Sequence, residues 1–283
     1  MNHNIITAIS ENRKNIMLAK SYLTRLFHYA IIKNILRKNT RAVSLMKLYG
    51  ICYGIDFIYG TYGSAFSQTP HPEKPVDNFS FFYYLAKWDT KNILIDTGFQ
   101  DKKLAEDMGV RLLPIENELT NICPQGLSAI DAVILTHSHW DHIGNIPAFP
   151  DADIFLVPET YHLAMQDDNE AVKERLSFPN VHIVTPPYRI YDKFELVHVG
   201  GHTSDSCAVL FSENGLNYVI TGDECYLCDN LEKTLPIGIK VSEEKNLTFL
   251  KKMKEESRIP LPFHDGSLLT RYKKLSEHIV EII

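Results

Sequence analysis

The chain has 283 residues, 45% hydrophobic and 23% charged, a composition that fits one large folded domain with or without appendages and excludes a low-complexity or disordered chain. Its net charge of −6 is uneven: residues 1–45 carry Lys and Arg against a single acid, Glu11, about +7, which leaves about −13 on the remainder. An acidic body argues against nucleic-acid binding as the main business of the fold, and charges interrupt every apolar run short of the roughly 18 residues of a membrane span.

In the basic segment, Ala19, Tyr22, Leu23, Leu26 and Ala30 follow helical spacing, with Lys20, Arg25, Lys33, Arg37 and Lys38 largely elsewhere. The segment lacks the uninterrupted apolar core and small-residue cleavage site of a signal peptide. Three readings stand: an appended helix that packs or frays, a helix lying on a membrane surface, or a native start at Met46, where Met46-Lys47-Leu48-Tyr49 opens directly into strand-like sequence. Residues 46–283 are expected to hold the whole folded domain, and residues 1–45 to be a dispensable extension.

Two β-rich runs, 48–58 and 79–87, flank a loop holding Tyr59, Tyr62, Phe66, Pro70 and Pro72. Its aromatic residues read as packed down, with Phe66 and its neighbours also candidates for lining a substrate pocket. Trp88-Asp89-Thr90-Lys91 reads as a hairpin turn into a strand over 92–96. That strand ends in Asp96-Thr97-Gly98, a carboxylate beside a tight turn. Short helices are expected over 101–108 and 114–122.

The run Ala132-Val133-Ile134-Leu135 reads as a buried strand of a mostly parallel sheet. It leads into Thr136-His137-Ser138-His139-Trp140-Asp141-His142, a density of histidine and aspartate that core packing does not call for. Imidazole nitrogen and carboxylate oxygen are ligands that suit zinc and its first-row neighbours, and the loop leaving a strand's C-terminal edge is where open α/β sheets collect ligands. On extended chain His137 and His139 point the same way and can share one metal, whereas Asp141 and His142, where the chain turns, can reach a second.

Further strands are expected over 154–157, 181–185, 194–199, 206–211 and 217–221, and helices over 159–166 and 170–176 with Pro179 as a stop. A helix follows from Ser242, an N-cap with Glu243 and Glu244 in its first turn. A C-terminal helix is expected near Thr270, with Tyr272, Leu275, Ile279 and Ile282 on one face. Strands interleaved with helices in both halves argue for an α/β or α+β sandwich, not a single Rossmann sheet. Three more donors stand at turns: His202 after Gly200-Gly201, Asp223 in Thr221-Gly222-Asp223, and His264 in a loop between the two final helices. Five cysteines without a secretory signal read as reduced thiols of a cytoplasmic protein, and the lone Cys225-Tyr226-Leu227-Cys228 spacing as two buried small side chains.

The ordered set His-x-His-x-Asp-His, Gly-His, Gly-Asp and a late His resembles the metallo-β-lactamase fold superfamily, and Asp96-Thr97-Gly98 matches that superfamily's early Asp-x-Gly signature. The resemblance covers about residues 46–283. Within the superfamily the chain is most similar to the N-acyl homoserine lactonases, through Gly222-Asp223-Glu224-Cys225-Tyr226 and His264-Asp265. This implies an αβ/βα four-layer sandwich, two mixed β-sheets flanked by helices. It also implies two metals per chain, Zn2+ first, with iron, manganese or cobalt as alternatives. One metal is expected on His137, His139 and His202, the other on Asp141, His142 and His264, with Asp223 bridging both. Asp96 and Asp265 are expected to orient ligand histidines.

The implied activity is hydrolysis of a small-molecule lactone or ester, N-acyl homoserine lactones first, which would make the protein a quorum-quenching enzyme. Hydroxide held between two metals, formed because the water's pKa falls to about 7, would attack the carbonyl carbon. Tyr226, as a donor to the substrate carbonyl, and Asp141 and Asp223 are the expected catalytic residues. The same centre would serve a glyoxalase II-like thioesterase or another ester or phosphodiester hydrolase, and related scaffolds holding iron carry out redox chemistry. A β-lactamase fits less well, because several families with that activity place Cys or Ser where Asp223 stands. A homodimer is left open. Two departures bear on pocket shape: Gly201-His202-Thr203-Ser204-Asp205-Ser206 replaces the common Gly-His-Thr-Pro-Gly-Ser, and Phe263 stands where Gly often precedes the final ligand.

Overall fold

Strands that are apolar at successive positions need cover on both faces of the sheet they build. The computed structural model, which describes residues 45–58 and 60–283, meets this need with two sheets packed face to face. The helix and start-site readings of residues 1–44 lie outside the described residues.

The strands are β1 (Lys47–Asp56), β2 (Ser80–Trp88), β3 (Lys91–Ile95), β4 (Val110–Leu112), β5 (Ala132–Ile134), β6 (Asp153–Leu156) and β7 (Val181–Ile183), then β8 (Tyr188–Ile190), β9 (Phe194–His198), β10 (Cys207–Glu213), β11 (Leu216–Ile220) and β12 (Ile259–Leu261), and last β13 (Lys273–Lys274) and β14 (Ile279–Glu281). The first sheet runs β13-β14-β1-β2-β3-β5-β6-β7, with β4 also on β1, and the second runs β12-β11-β10-β9-β8. Both are mixed. β3, β5, β6 and β7 pair in parallel, as do β11 and β12, while the remaining pairs are antiparallel.

The helices are α1 (Tyr62–Ala65), α2 (Lys102–Asp107), α3 (Glu116–Ile122), α4 (Trp140–Ile143), α5 (Pro158–Ala164), α6 (Glu170–Leu176), α7 (Cys228–Lys233), α8 (Glu243–Glu255) and α9 (Leu268–Arg271). Three apolar clusters separate the layers, because side chains alternate along each strand. Phe81, Tyr83 and Leu85 of β2 point outward to meet Ala105 of α2, Ile122 of α3 and Leu176 of α6. Their neighbours Phe82, Tyr84 and Ala86 point inward to meet Phe194, Leu196 and Val209 of the second sheet. On the far side Leu210 and Val219 are covered by Leu231 of α7 and by Phe249, Leu250 and Met253 of α8. The expected αβ/βα four-layer sandwich is therefore the architecture found. Helix α8 starts as its sequence signals, with Ser242 Oγ accepting from the Lys245 N–H at 3.3 Å. All five cysteines are buried and free.

The C-terminal helix expected near Thr270 does not form. A single turn, α9, gives way to β13 and β14, and β14 pairs with β1 through Ile279↔Ile51 and Val280↔Gly50. Tyr272, Leu275, Ile279 and Ile282 satisfy helical spacing, but an uncovered β1 edge would leave a row of backbone N–H and C=O groups unpaired beside a core, and pairing overrides the spacing. The short strands β4, β8 and β12 were likewise not expected, each being three residues without a distinctive apolar run. Of these β12 matters most. It places His264 just past a strand end, within the loop between the two final helices, α8 and α9. In the aromatic loop, Phe66 is buried in the outer cluster against Tyr62. Among the described residues no helix is long and apolar enough to cross a membrane.

The strand assignment separates two residues that a helix face would make equivalent. Ile279 is 1% exposed and Leu275 is 40% exposed. Ile279→Ala should cost about 2–5 kcal/mol in denaturant unfolding, and Leu275→Ala no more than about 0.5 kcal/mol. Equal losses would contradict β14.

Candidate metal centre

Loops from both sheets meet at one edge of the sandwich. The segment His137–His142 leaves β5, and Asp96 leaves the neighbouring parallel strand β3. His202 sits in the connection between β9 and β10. Asp223 and His264 leave β11 and β12, which run parallel and so release their loops at the same end. Gly222, before Asp223, has φ of 53°, and a Cβ there would lie 2.7 Å from the Cys207 carbonyl oxygen, so the turn that aims Asp223 requires glycine.

All seven residues expected as ligands come together. His137, His139, His202 and Asp223 form one group and Asp141, His142 and His264 a second, with the donor atoms of each group within 4.8 Å of one another. Asp223 stands between them. Its Oδ1 lies 3.1 Å from His142 Nε2 and 3.2 Å from His264 Nε2, while its Oδ2 lies 3.5 Å from His202 Nε2 and 3.9 Å from His137 Nε2. Asp141 Oδ2 is 3.5 Å from His142 Nε2 and 3.6 Å from His264 Nε2. His139 presents its Nδ1, 3.1 Å from His202 Nε2.

The nitrogens facing away from the centre are anchored. His264 Nδ1 meets the Ser80 carbonyl oxygen at 3.1 Å and His202 Nδ1 meets that of Ile239 at 3.0 Å, so each carries its proton there and leaves Nε2 as a lone pair directed inward. His142 Nδ1 meets Asp96 Oδ2 at 2.6 Å. The same oxygen accepts from the Thr136 hydroxyl at 2.6 Å, and that hydroxyl lies 3.1 Å from His137 Nδ1. Asp96 therefore orients His142 directly and His137 through Thr136, one ring in each group. Thr136 escaped the sequence reading because nothing in its type or spacing marks it. So did the two backbone carbonyls.

Two expectations fail at this level. Asp265 orients no histidine; it accepts from the backbone N–H groups of Cys228 and Ser267, both at 2.9 Å, and so fixes the loop on either side. Phe263 does not shape the pocket. It is 1% exposed and turned into the core between the Tyr84 and His142 rings, where its alternating position along the chain exiting β12 sends it opposite to His264. The altered turn does affect the centre's wall: Asp205 Oδ2 accepts from the Ser138 N–H at 2.8 Å, tying the turn after His202 to the link between His137 and His139.

Burial, reinforced by the charge of His142, holds His137 well below the usual imidazole range. Burial also acts to lower His142, but Asp223, Asp141 and Asp96 outweigh it and hold that ring well above the usual range. Burial would raise Asp223, yet His142 and His264 pull it well below the usual carboxylate range. Despite this clustering, Nε2 of His137, His142 and His264 and Oδ1 of Asp223 are buried and make no hydrogen bond. Buried polar atoms are normally satisfied, and these four converge on common points with lone-pair donors of the type zinc takes. The residues fit a pair of cations. Tyr226 stands over the same centre, its ring 5.2 Å from that of His264 and its hydroxyl 3.4 Å from His202 Nδ1. Phe79 stacks on the His264 ring at 4.8 Å, and the partly exposed Trp140 packs on Phe99 at 4.5 Å.

The chain belongs to the metallo-beta-lactamase superfamily, whose family model matches residues 77–260, and it is a metal-dependent hydrolase of that fold. The match stops just short of His264. Among relatives, the chain is 30% identical over 157 residues to a probable metallo-hydrolase of Methanocaldococcus jannaschii, covering 53% of this chain and 67% of that protein. It is 27% identical over 188 residues to an N-acyl homoserine lactonase of a Bacillus species, covering 61% of this chain and 74% of that one. Among solved structures, an N-acyl homoserine lactone hydrolase with the product N-hexanoyl-L-homoserine at its catalytic metal centre aligns with a TM-score of 0.65 at 22% identity, over 82% of this chain and 98% of that one. That likeness speaks for the fold.

Asp96 has φ of 56°, a left-handed backbone that Asn tolerates as well as Asp, so Asp96→Asn should fold. Its amide nitrogen does not accept, so the variant loses either the Thr136 N–H bond to Oδ1 or both the Thr136 hydroxyl and His142 bonds to Oδ2. Metal affinity, measured by competition with a chelator, should fall about 10- to 100-fold. Unchanged affinity would remove Asp96 from the support of the centre.

Proposed function

We propose that the protein opens lactone rings, with N-acyl homoserine lactones as the substrate class, at a centre of two Zn2+ ions. His137, His139 and His202 would hold one ion, Asp141, His142 and His264 the other, and Asp223 both. The observation that carries the reading is the placement of Asp223, one carboxylate oxygen turned to each group of rings. Residues 46–283 would hold the whole of this chemistry, since every proposed ligand lies beyond Asp96.

Two bound ions would supply an activated water at neutral pH and polarise the substrate carbonyl. The chain's own residues then do three things. Burial, with the charges of Asp223 and Asp141, pushes the Tyr226 phenol well above its usual range, so it stays protonated and can donate to the carbonyl oxygen as negative charge develops there. Asp141, at 8% exposed the less buried of the two central carboxylates, would take the water's proton on the oxygen not turned to His142 and His264, and return it to the departing ring oxygen. The partly exposed Trp140 would offer an acyl chain apolar surface. Kinship with lactonases and the tyrosine three residues after Asp223 support a lactone over a thioester.

The test is ring opening of an acyl homoserine lactone followed by a pH indicator, with S-lactoylglutathione cleavage measured beside it. Wild type should open the lactone, and Tyr226→Phe should lose about 10-fold in kcat/KM, about 1.4 kcal/mol, with metal content unchanged. Brisk thioester cleavage without lactone turnover by fully metallated protein would overturn the substrate assignment.

A further inference from the structure

The turn Gly222–Glu224 carries two carboxylates with different tasks. Asp223 faces the metal centre. Glu224 is fully buried beside it and belongs to neither group of donors. Glu224 Oε1 accepts from the backbone N–H groups of Gly201 at 2.8 Å and His202 at 3.0 Å, and from the Ser206 hydroxyl. Its Oε2 accepts from the Asn246 side-chain amide at 2.8 Å. All four donors are uncharged. A buried carboxylate is expensive without such bonds, so its retention here calls for a return elsewhere.

That return is at His202. A Cβ on Gly201 would lie 2.3 Å from Glu224 Oε2, so glycine at 201 is what lets the carboxylate close on this backbone. Asn246, on α8, passes the constraint on: its Oδ1 accepts from the Ile237 N–H at 3.2 Å, and two residues later the Ile239 carbonyl oxygen anchors His202 Nδ1. The backbone of His202 and its ring are thus both referred to one side chain. We propose that Glu224 is a positioning residue: it fixes His202 at both ends and thereby sets the metal affinity of the group His137, His139 and His202. This rests on the reading of the seven residues as a two-metal centre.

The conservative change Glu224→Gln is informative because the network has a fixed polarity. With its oxygen kept on Gly201 and His202, the glutamine would turn its NH2 toward the NH2 of Asn246. Asn246 is held from flipping by the Ile237 N–H. The Asn246 amide also donates to the Glu224 carbonyl oxygen at 2.9 Å, so position 246 must stay Asn, and the second variant is Ser206→Ala, which removes one donor to Glu224 Oε1 and leaves Asn246 in place. Full-length protein is stripped with a chelator and titrated with Zn2+ against a chromophoric competitor, and separately with Co2+ while its visible spectrum is recorded. Wild type should show two dissociation constants; failure to bind two ions would overturn the metal centre itself, a result distinct from anything the variants show. In Glu224→Gln one constant should weaken about 10- to 100-fold, with a change in the Co2+ spectrum, while the other holds. Ser206→Ala should weaken the same constant to a smaller extent. A role in stability alone would lower Tm and leave both constants and the spectrum as in wild type, overturning the proposal, as would equal weakening at both sites. If Glu224→Gln does not fold, Ser206→Ala decides: weakening of one constant alone supports the proposal, and wild-type constants or equal weakening of both overturn it.

Discussion

The structure is organised around a cluster of buried polar atoms that the protein itself leaves unsatisfied. Three imidazole nitrogens and one oxygen of Asp223 are buried without a hydrogen bond. Each such atom carries a desolvation penalty of about 1–3 kcal/mol. An ordinary core would have replaced these side chains or turned them outward. Here the opposite nitrogens are fastened to Thr136, Asp96 and the Ser80 carbonyl, so the rings are held with their inner nitrogens converging. A pair of cations at these points would offset the penalty, and the ring anchors hold the donors in place to bind them.

The four-layer sandwich explains how such a cluster can be assembled from distant positions. Each sheet is apolar on both faces and therefore rigid between two layers, which leaves the loops at strand ends as the places where polar side chains can gather. β3 and β5 of the first sheet and β11 and β12 of the second each pair in parallel, so each pair delivers its loops to one end. The sheets are also joined there: the Phe82 N–H donates to the Phe263 carbonyl oxygen at 2.9 Å and the Ser80 N–H to that of His264 at 3.2 Å. The last ligand is thus locked to the strand that also provides its carbonyl anchor.

Much of this was legible in the sequence, for physical reasons. Ligand chemistry constrains residue type, so the motif from His137 to His142 and the later His202, Asp223 and His264 stand out against any core. Asp96 could be read because a carboxylate at a strand end beside glycine has few other uses. What stayed hidden was whatever has no type signature: the Ser80 and Ile239 carbonyls, the Thr136 hydroxyl, and the short strands β4, β8 and β12. Glu224 was quoted only as part of a motif, because its burial and its four donors are visible only once the β9–β10 turn and α8 are in place. The C-terminal segment was misread since Tyr272, Leu275, Ile279 and Ile282 fit a helix, while the edge of β1 that claims Ile279 and Val280 is more than two hundred residues away in the chain. Phe263 misled in a different way. It stands where Gly often precedes the final ligand, a departure expected to bear on pocket shape, yet strand alternation turns it into the core.

The central claim is that Asp223 lies between two metal ions, and diffraction tests it most directly. Crystals of the zinc-loaded protein, measured on both sides of the zinc absorption edge, should give two anomalous peaks. One should lie about 2.0–2.2 Å from nitrogens of His137, His139 and His202, the other at similar distances from Asp141, His142 and His264, with an Asp223 oxygen bound to each. A single peak, or two peaks without Asp223 in contact with both, would contradict the account.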